Sequence, residues 1–277
     1  MSLSAPDWVG ETQLHGQSML SPDSRAALLI VHGIQEHGGR YEPAMHQLAK
    51  RNVACFAYDQ RGHGRSPGAR GDVAGFSSLV EDAVTIARGI RNKNPDLPLF
   101  LWGHSMGSLV VTLAAVRIGE ELRGVITSGC PLDTYARTLR WTLPALRLLS
   151  CVAPRFRISG IFKSSDLSHD ASVQRAYDED PLVERSVTLR LVVGLASACR
   201  EVRAVSPNAR VAWLAAHGTE DRIAPPGGSQ RLIELLGSKD KRLARYDSSR
   251  HEIHNELEPI RSEFLDDLSR WILNRTS

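Results

Sequence analysis

Along this chain, short unbroken apolar runs alternate with longer segments whose apolar residues recur every three or four positions. Ala26–Val31 and Val53–Tyr58 are two such runs, with the length and residue types of strands buried on both faces. Between them, residues 43–51 fit a short helix with Pro43 in its first turn. Ser78 and Glu81 have the spacing of a capping box. Val80, Ala83, Val84, Ala87 and Ile90 then follow on one helical face that ends before Pro95. Further runs at 99–102, 124–127, 210–215 and 242–246 predict strands, and 230–236 predicts a helix closed by Gly237. Phe264, Leu265, Leu268, Trp271 and Ile272 share one face of a last helix. Near the start, 8–14 and 17–20 predict two short strands joined at His15-Gly16.

Strand–helix alternation is the signature of an α/β fold, a mostly parallel sheet with helices on both faces. The alternation breaks at Pro131. From there to 204 the pattern is helical with no convincing strand run, so 131–204 reads as an insertion into a core formed by 1–130 and 205–277.

Composition refines this only slightly. A chain of 277 residues with 42% hydrophobic and 23% charged residues is ordinary for a soluble protein that buries a real core. The net charge of +3 favours an anionic membrane surface but is far too weak to argue for nucleic acid. Cys55, Cys130, Cys151 and Cys199 are widely spaced, so neither a zinc site nor a disulfide framework is expected, and reduced thiols in a cytoplasm are the default. The first residues lack the basic-then-apolar order of a signal peptide, and no apolar stretch approaches a bilayer span. Any lipid is expected to be met from the aqueous side. The sequence carries no signal of oligomeric state.

The chemistry begins where the 99–102 run leads into Gly103-His104-Ser105-Met106-Gly107 and then a helix-length Ala, Leu and Val segment. A strand that turns abruptly into a helix strains the serine backbone and exposes its hydroxyl, and glycine two residues away on each side leaves room for passing backbones. Gly62-x-Gly64 lacks the third glycine of a nucleotide fingerprint, since Pro67 stands there. A serine nucleophile needs a base, and the base needs a carboxylate to hold its tautomer and charge. After the 210–215 strand comes His217-Gly-Thr-Glu-Asp221, and after 242–246 comes His251-Glu-Ile-His254. Asp221 is assigned as the acid, with Glu220 its nearest rival, and His251 as the base, with His254 its rival. His217 is expected to shape the turn before Asp221. Two backbone donors for an oxyanion are expected at Met106 and Ile34, with His32 bracing the Ile34 loop. This chemistry requires no metal or organic cofactor.

His32-Gly-Ile-Gln-Glu-His-Gly-Gly-Arg-Tyr41, Asp59-Gln-Arg-Gly-His-Gly-Arg-Ser66, Gly103-His-Ser-Met-Gly107, His217-Gly-Thr-Glu-Asp221 and His251-Glu-Ile-His254 together resemble the monoacylglycerol lipase and lysophospholipase branch of the α/β-hydrolase fold. The resemblance implies an eight-stranded, mostly parallel sheet with a helical cap at 131–204. It also implies cleavage of a monoacylglycerol to fatty acid and glycerol through an acyl-enzyme, with lysophospholipase or broad carboxylesterase activity as alternatives. A non-catalytic binding protein that kept the fold is the alternative of another class. Glu36, Arg40 and His254 match residues that line or support a glycerol pocket in that family; a structural ion pair between Glu36 and Arg40 is the competing reading. Leu146, Leu149, Val192 and Val193 in the insertion are candidates for an acyl channel. From Arg137 to Lys163 basic residues are interleaved with apolar ones, with no acidic residue among them. That pattern suits either docking on an anionic lipid surface or a cap helix with a solvated basic rim.

Overall fold

The computed structural model describes Ser4, residues 12–133 and residues 142–276. Its strands are β1 (Gly16–Met19), β2 (Ala26–Val31), β3 (Val53–Tyr58), β4 (Leu99–His104), β5 (Gly124–Ser128), β6 (Arg157–Ser159), β7 (Ser186–Thr188), β8 (Ala212–Gly218) and β9 (Lys241–Tyr246). The main sheet runs in the order β1-β3-β2-β4-β5-β8-β9, with β1 antiparallel to β3 and every other pair parallel. It is therefore seven-stranded among the described residues, not eight-stranded. The predicted strand at 8–14 lies mostly outside those residues, and its end at 12–14 forms no strand.

Alternation along β2 builds the two layers. Ala27, Leu29 and Val31 are buried on one side with α2 (Phe76–Lys93) and α3 (Met106–Ile118). Ala26, Leu28 and Ile30 are buried on the other with α1 (Glu42–Ala49) and α8 (Ile260–Leu273). Helix α7 (Gly227–Leu235) packs against β8 and β9. Helix α2 starts earlier than the capping-box spacing predicts. Gly75 is its N-cap, and the Ser78 hydroxyl donates to the Gly75 carbonyl at 2.8 Å from within the first turn.

The inserted segment contains α4 (Leu143–Val152), α5 (Ala171–Glu179) and α6 (Leu189–Val205). It also contains an antiparallel pair, β6 with β7, that the sequence pattern missed because three-residue strands are too short to show a period. Helix α6 buries Leu191, Leu195, Ala198, Cys199 and Val202 in the same cluster as α2 and α3, so it layers onto the core. Leu167, Tyr177 and Val183 form a separate small cluster.

The strand order fixes where the chemistry can sit. From β2 the chain crosses to β3 on one side and then returns to β4 on the other. The connections diverge at the carboxyl ends of β2 and β4, leaving a crevice between them. The Gly33-Ile34 loop and Ser105 lie at those two ends.

Candidate active site

Ser105 joins β4 to α3 with φ 51° and ψ −120°, a conformation that L-residues rarely adopt. Its N–H donates to Ser128 O at 2.9 Å, and its carbonyl accepts from the Ser108 N–H (2.9 Å) and hydroxyl (2.6 Å). A Cβ on Gly103 would overlap the Gly107 carbonyl, and one on Gly107 would overlap the Val31 carbonyl. The two glycines let β2, β4 and α3 approach at this corner. Met106 is the first residue of α3, so its N–H belongs to the unsatisfied donors at the positive end of a 13-residue helix.

Asp221, in the turn after β8, and His251, after β9, meet at the same rim. His251 Nδ1 lies 2.7 Å from Asp221 Oδ2. That carboxylate is buried and fully used. Oδ1 accepts from the Ile223 and Ala224 N–H groups at 2.9 and 2.8 Å, and His217 Nε2 stands 3.0 Å from Oδ2. Burial opposes its ionisation, but the charge of His251 and hydrogen bonds from His217 and His251 hold the carboxyl well below the ordinary range. For His251 burial favours the neutral ring, and the charge and hydrogen bond of Asp221 outweigh it, raising the imidazole above its usual value. Glu220, the rival acid, instead faces His169 at 3.5 Å. His254, the rival base, is stacked on Tyr41 with ring centroids 4.7 Å apart.

The loop after β2 is held from several sides. Gln60 N–H donates to His32 Nε2 at 2.8 Å, which leaves Nδ1 as the protonated nitrogen, 2.7 Å from Gly33 O. Burial, with His63 nearby, keeps this ring neutral. In a planar trans peptide the carbonyl and the following N–H point opposite ways, so holding Gly33 O fixes the direction of the Ile34 N–H. Gly33 N–H donates to Glu36 Oε1 at 2.5 Å, and the Tyr41 hydroxyl donates to the same oxygen at 3.0 Å.

Residues 22–258 match the serine aminopeptidase S33 family. The chain belongs to this family. It is 32% identical over 256 residues to the human monoglyceride lipase, covering 91% of this chain and 84% of that protein. It is 30% identical over 256 residues to the monoacylglycerol lipase of Mycolicibacterium smegmatis, covering 91% and 89%. The crystal structure of the Paleococcus ferrophilus monoacylglycerol lipase matches with a TM-score of 0.83 at 29% identity, over 95% of this chain and 99% of that one. The chain is thus a serine hydrolase of the α/β-hydrolase fold.

In this S33 hydrolase, Ser105, His251 and Ile34 line one cavity of about 10 Å³, room for a single water. Phe162, Leu167 and Tyr177 from the inserted segment close it, and Glu36 and Glu252 form its acidic wall. Of the three predicted headgroup residues, only Glu36 reaches the cavity. Arg40 stands behind, with Nη2 at 2.7 and 2.5 Å from the two oxygens of Glu252 and Nε 3.5 Å from Glu36 Oε2. His254 is buried and pushed down to about 4 by desolvation, and neither ring nitrogen has a hydrogen-bond partner among the described residues. A wider groove of about 610 Å³ opens on the far side of Arg40 and includes neither Ser105 nor His251. The acyl-channel candidates lie elsewhere. Leu146 and Leu149 are on α4, whose residues are at most half-buried, and Val192 and Val193 are on α6; none lines the cavity. Apolar character alone does not say which way a helix turns its face. Glu252 was missed as well, although it directly follows His251.

The Asp221–His251 contact has a measurable consequence. Proton abstraction requires neutral His251, so kcat/KM should fall as pH drops through a value above the usual histidine 6.5. Asp221→Asn removes the charge that raises His251, so the acid limb should move to lower pH and kcat should fall by about 10⁴. A pH–rate profile of both proteins checks this. An unmoved limb would break the assignment.

Proposed function

We propose that this chain hydrolyses monoacylglycerols to fatty acid and glycerol through an acyl-enzyme. The reading is carried by one observation: a strained elbow serine and an aspartate-paired histidine share a cavity with a buried acidic wall. In this scheme Ser105 attacks the ester carbonyl. His251 takes the hydroxyl proton and returns it to the leaving alkoxide, and Asp221 stabilises the imidazolium. The N–H groups of Ile34 and Met106 hold the oxyanion, where losing one donor typically costs about 10²–10³ in rate. Water then repeats the cycle on the acyl-enzyme. Glu36 and Glu252 supply acceptors for the hydroxyls of the leaving glycerol, with Arg40 and His254 supporting them from behind. Relatives named monoglyceride and monoacylglycerol lipases support the substrate class. The segment expected as a cap, 131–204, covers the site through Phe162, Leu167 and Tyr177, and Phe162 and Tyr177 must move aside, because a glyceryl ester exceeds the space beside Ser105.

The cap also offers a lipid-facing side. Leu148, Val152 and Phe156 are 72%, 82% and 60% exposed, beside Arg147, Arg155 and Arg157. Apolar side chains flanked by cations suit shallow insertion into an anionic surface. Among the described residues no helix is long and apolar enough to cross a membrane. The basic residues at 137 and 140 lie outside the described residues.

Ser105→Ala should abolish labelling by a fluorophosphonate probe and remove about 10⁴–10⁶ of kcat on a monoacylglycerol. Undiminished hydrolysis by that variant would defeat the scheme. Leu148→Glu with Val152→Glu should weaken sedimentation with phosphatidylserine-containing vesicles at least tenfold, while cleavage of a soluble short-chain ester stays within about twofold. Equal sedimentation of variant and parent would remove this face from membrane contact.

A further inference from the structure

We propose that Glu252 determines specificity: by occupying the Arg40 guanidinium and adding a second carboxylate to the cavity wall, it closes the leaving-group end of the site to phosphate-bearing headgroups and reserves it for neutral polyols. The proposal rests on the reading of the site as a monoacylglycerol hydrolase and narrows it.

Arginine is the side chain best suited to receive a phosphate, because its planar fork matches two oxygens at once. Arg40 is the guanidinium paired with the acidic wall, and its Nη2 is already committed. Nη2 reaches both oxygens of Glu252, Nε faces Glu36 Oε2, and the guanidinium carbon lies 4.7 Å from the centre of the Tyr177 ring. Glu252 is in turn fixed in place. Asn255 Nδ2 donates to its Oε2 at 2.8 Å, and its own N–H donates to Leu167 O at 2.8 Å. Glu252 lines the cavity and Arg40 does not, so a phosphate entering beside Ser105 meets the fixed carboxylate before it can reach the guanidinium.

The charge balance points the same way. Glu36 and Glu252 are both buried and share one guanidinium, so ionising both leaves the wall short of positive charge. The bidentate partner, Glu252, keeps its charge, while burial and the field of Glu252 raise Glu36. A neutral polyol meets acceptors here and loses nothing. For each unit of negative charge brought within about 5 Å of such a carboxylate, at an effective dielectric constant near 20, the carboxylate by itself opposes binding by roughly two-hundredfold, and the Arg40 guanidinium behind it offsets part of that. The protein as a whole carries +3, so the exclusion is local to this wall and not a property of the whole surface.

The test compares a 1-acylglycerol with the corresponding 1-acylglycerol 3-phosphate. Both carry a hexanoyl chain, short enough to stay monomeric so that surface docking does not enter. The wild-type enzyme should favour the uncharged ester by about 10² or more in kcat/KM. Glu252→Gln, which releases Arg40 Nη2 from a carboxylate and removes one negative charge, should narrow that ratio at least tenfold, whatever it costs on the neutral ester through the lost acceptor. Fluorophosphonate labelling of the variant reports that its serine site is still formed. Equal cleavage of both esters by the wild type would overturn this proposal alone, as would an unchanged ratio in a labelling-competent variant. Cleavage of neither would overturn the monoacylglycerol reading and this proposal with it. The wild-type ratio needs no variant, so misfolding of Glu252→Gln cannot rescue the idea.

Discussion

Everything at this site depends on how closely three backbones cross at one corner of the sheet. The Val31 carbonyl at the end of β2 lies against Gly107, and Gly107 lies against Gly103. At that corner Ser105 holds its positive φ, and its Cβ lies close to Gly33. The elbow serine, the start of α3 and the Gly33-Ile34 loop therefore share one corner of the fold. The strand order supplies the crevice, and the two glycines let the chain occupy it.

Around this corner the protein buries several ionisable groups and holds them in defined states, some by pairing and some by burial. Asp221 stays charged because four donors converge on it. His32 and His254 stay neutral because burial outweighs any nearby carboxylate. Between these extremes, Glu36 and Glu252 compete for Arg40. A buried pair of this kind contributes little net stability, since desolvation offsets the attraction. Its retention beside a reacting serine makes sense in terms of what the wall admits.

Much of this was legible in the chain. The runs at Ala26–Val31 and Val53–Tyr58 are buried at every position, and such strands announce themselves by unbroken apolar character. The elbow declared itself because glycine spacing and strand–helix context are both local. Asp221 and Glu220 are neighbours in the chain and His251 and His254 lie three apart, so it is the fold that separates them, bringing Asp221 to His251 and turning Glu220 toward His169 and His254 onto Tyr41. What stayed hidden depends on orientation. The period of α4 gives an apolar face but not the direction it looks, and much of that face is exposed. Strands of three residues leave no period, so β6 and β7 carry no signal within a segment whose pattern is helical. Glu252 reads as an ordinary polar residue until the 3-10 turn at Ile253–Asn255 tucks it under Arg40, a partner 212 positions away.

The inserted segment has two faces with different physical duties. Inward, Phe162, Leu167 and Tyr177 cover the serine, and their cluster with Val183 is separate from the two large core clusters. Three buried side chains at about 1.5–3 kcal/mol each set an upper bound of under about 10 kcal/mol on that apolar seal, well below what holds the sheet layers together. Polar contacts also tie this segment to the core, among them Glu252 N–H to Leu167 O and the Ser168 hydroxyl to Asn255 O, so the apolar seal is a small part of what holds it. Outward, Leu148, Val152 and Phe156 meet solvent at a cost that an apolar interface would remove. Because the inward and outward faces belong to one connected segment, whatever engages the outer face can bias the inner seal, provided it binds the open arrangement more tightly than the closed one. A lipid surface bearing the substrate is the environment in which that difference would be useful, since it would couple access to Ser105 to the presence of the ester.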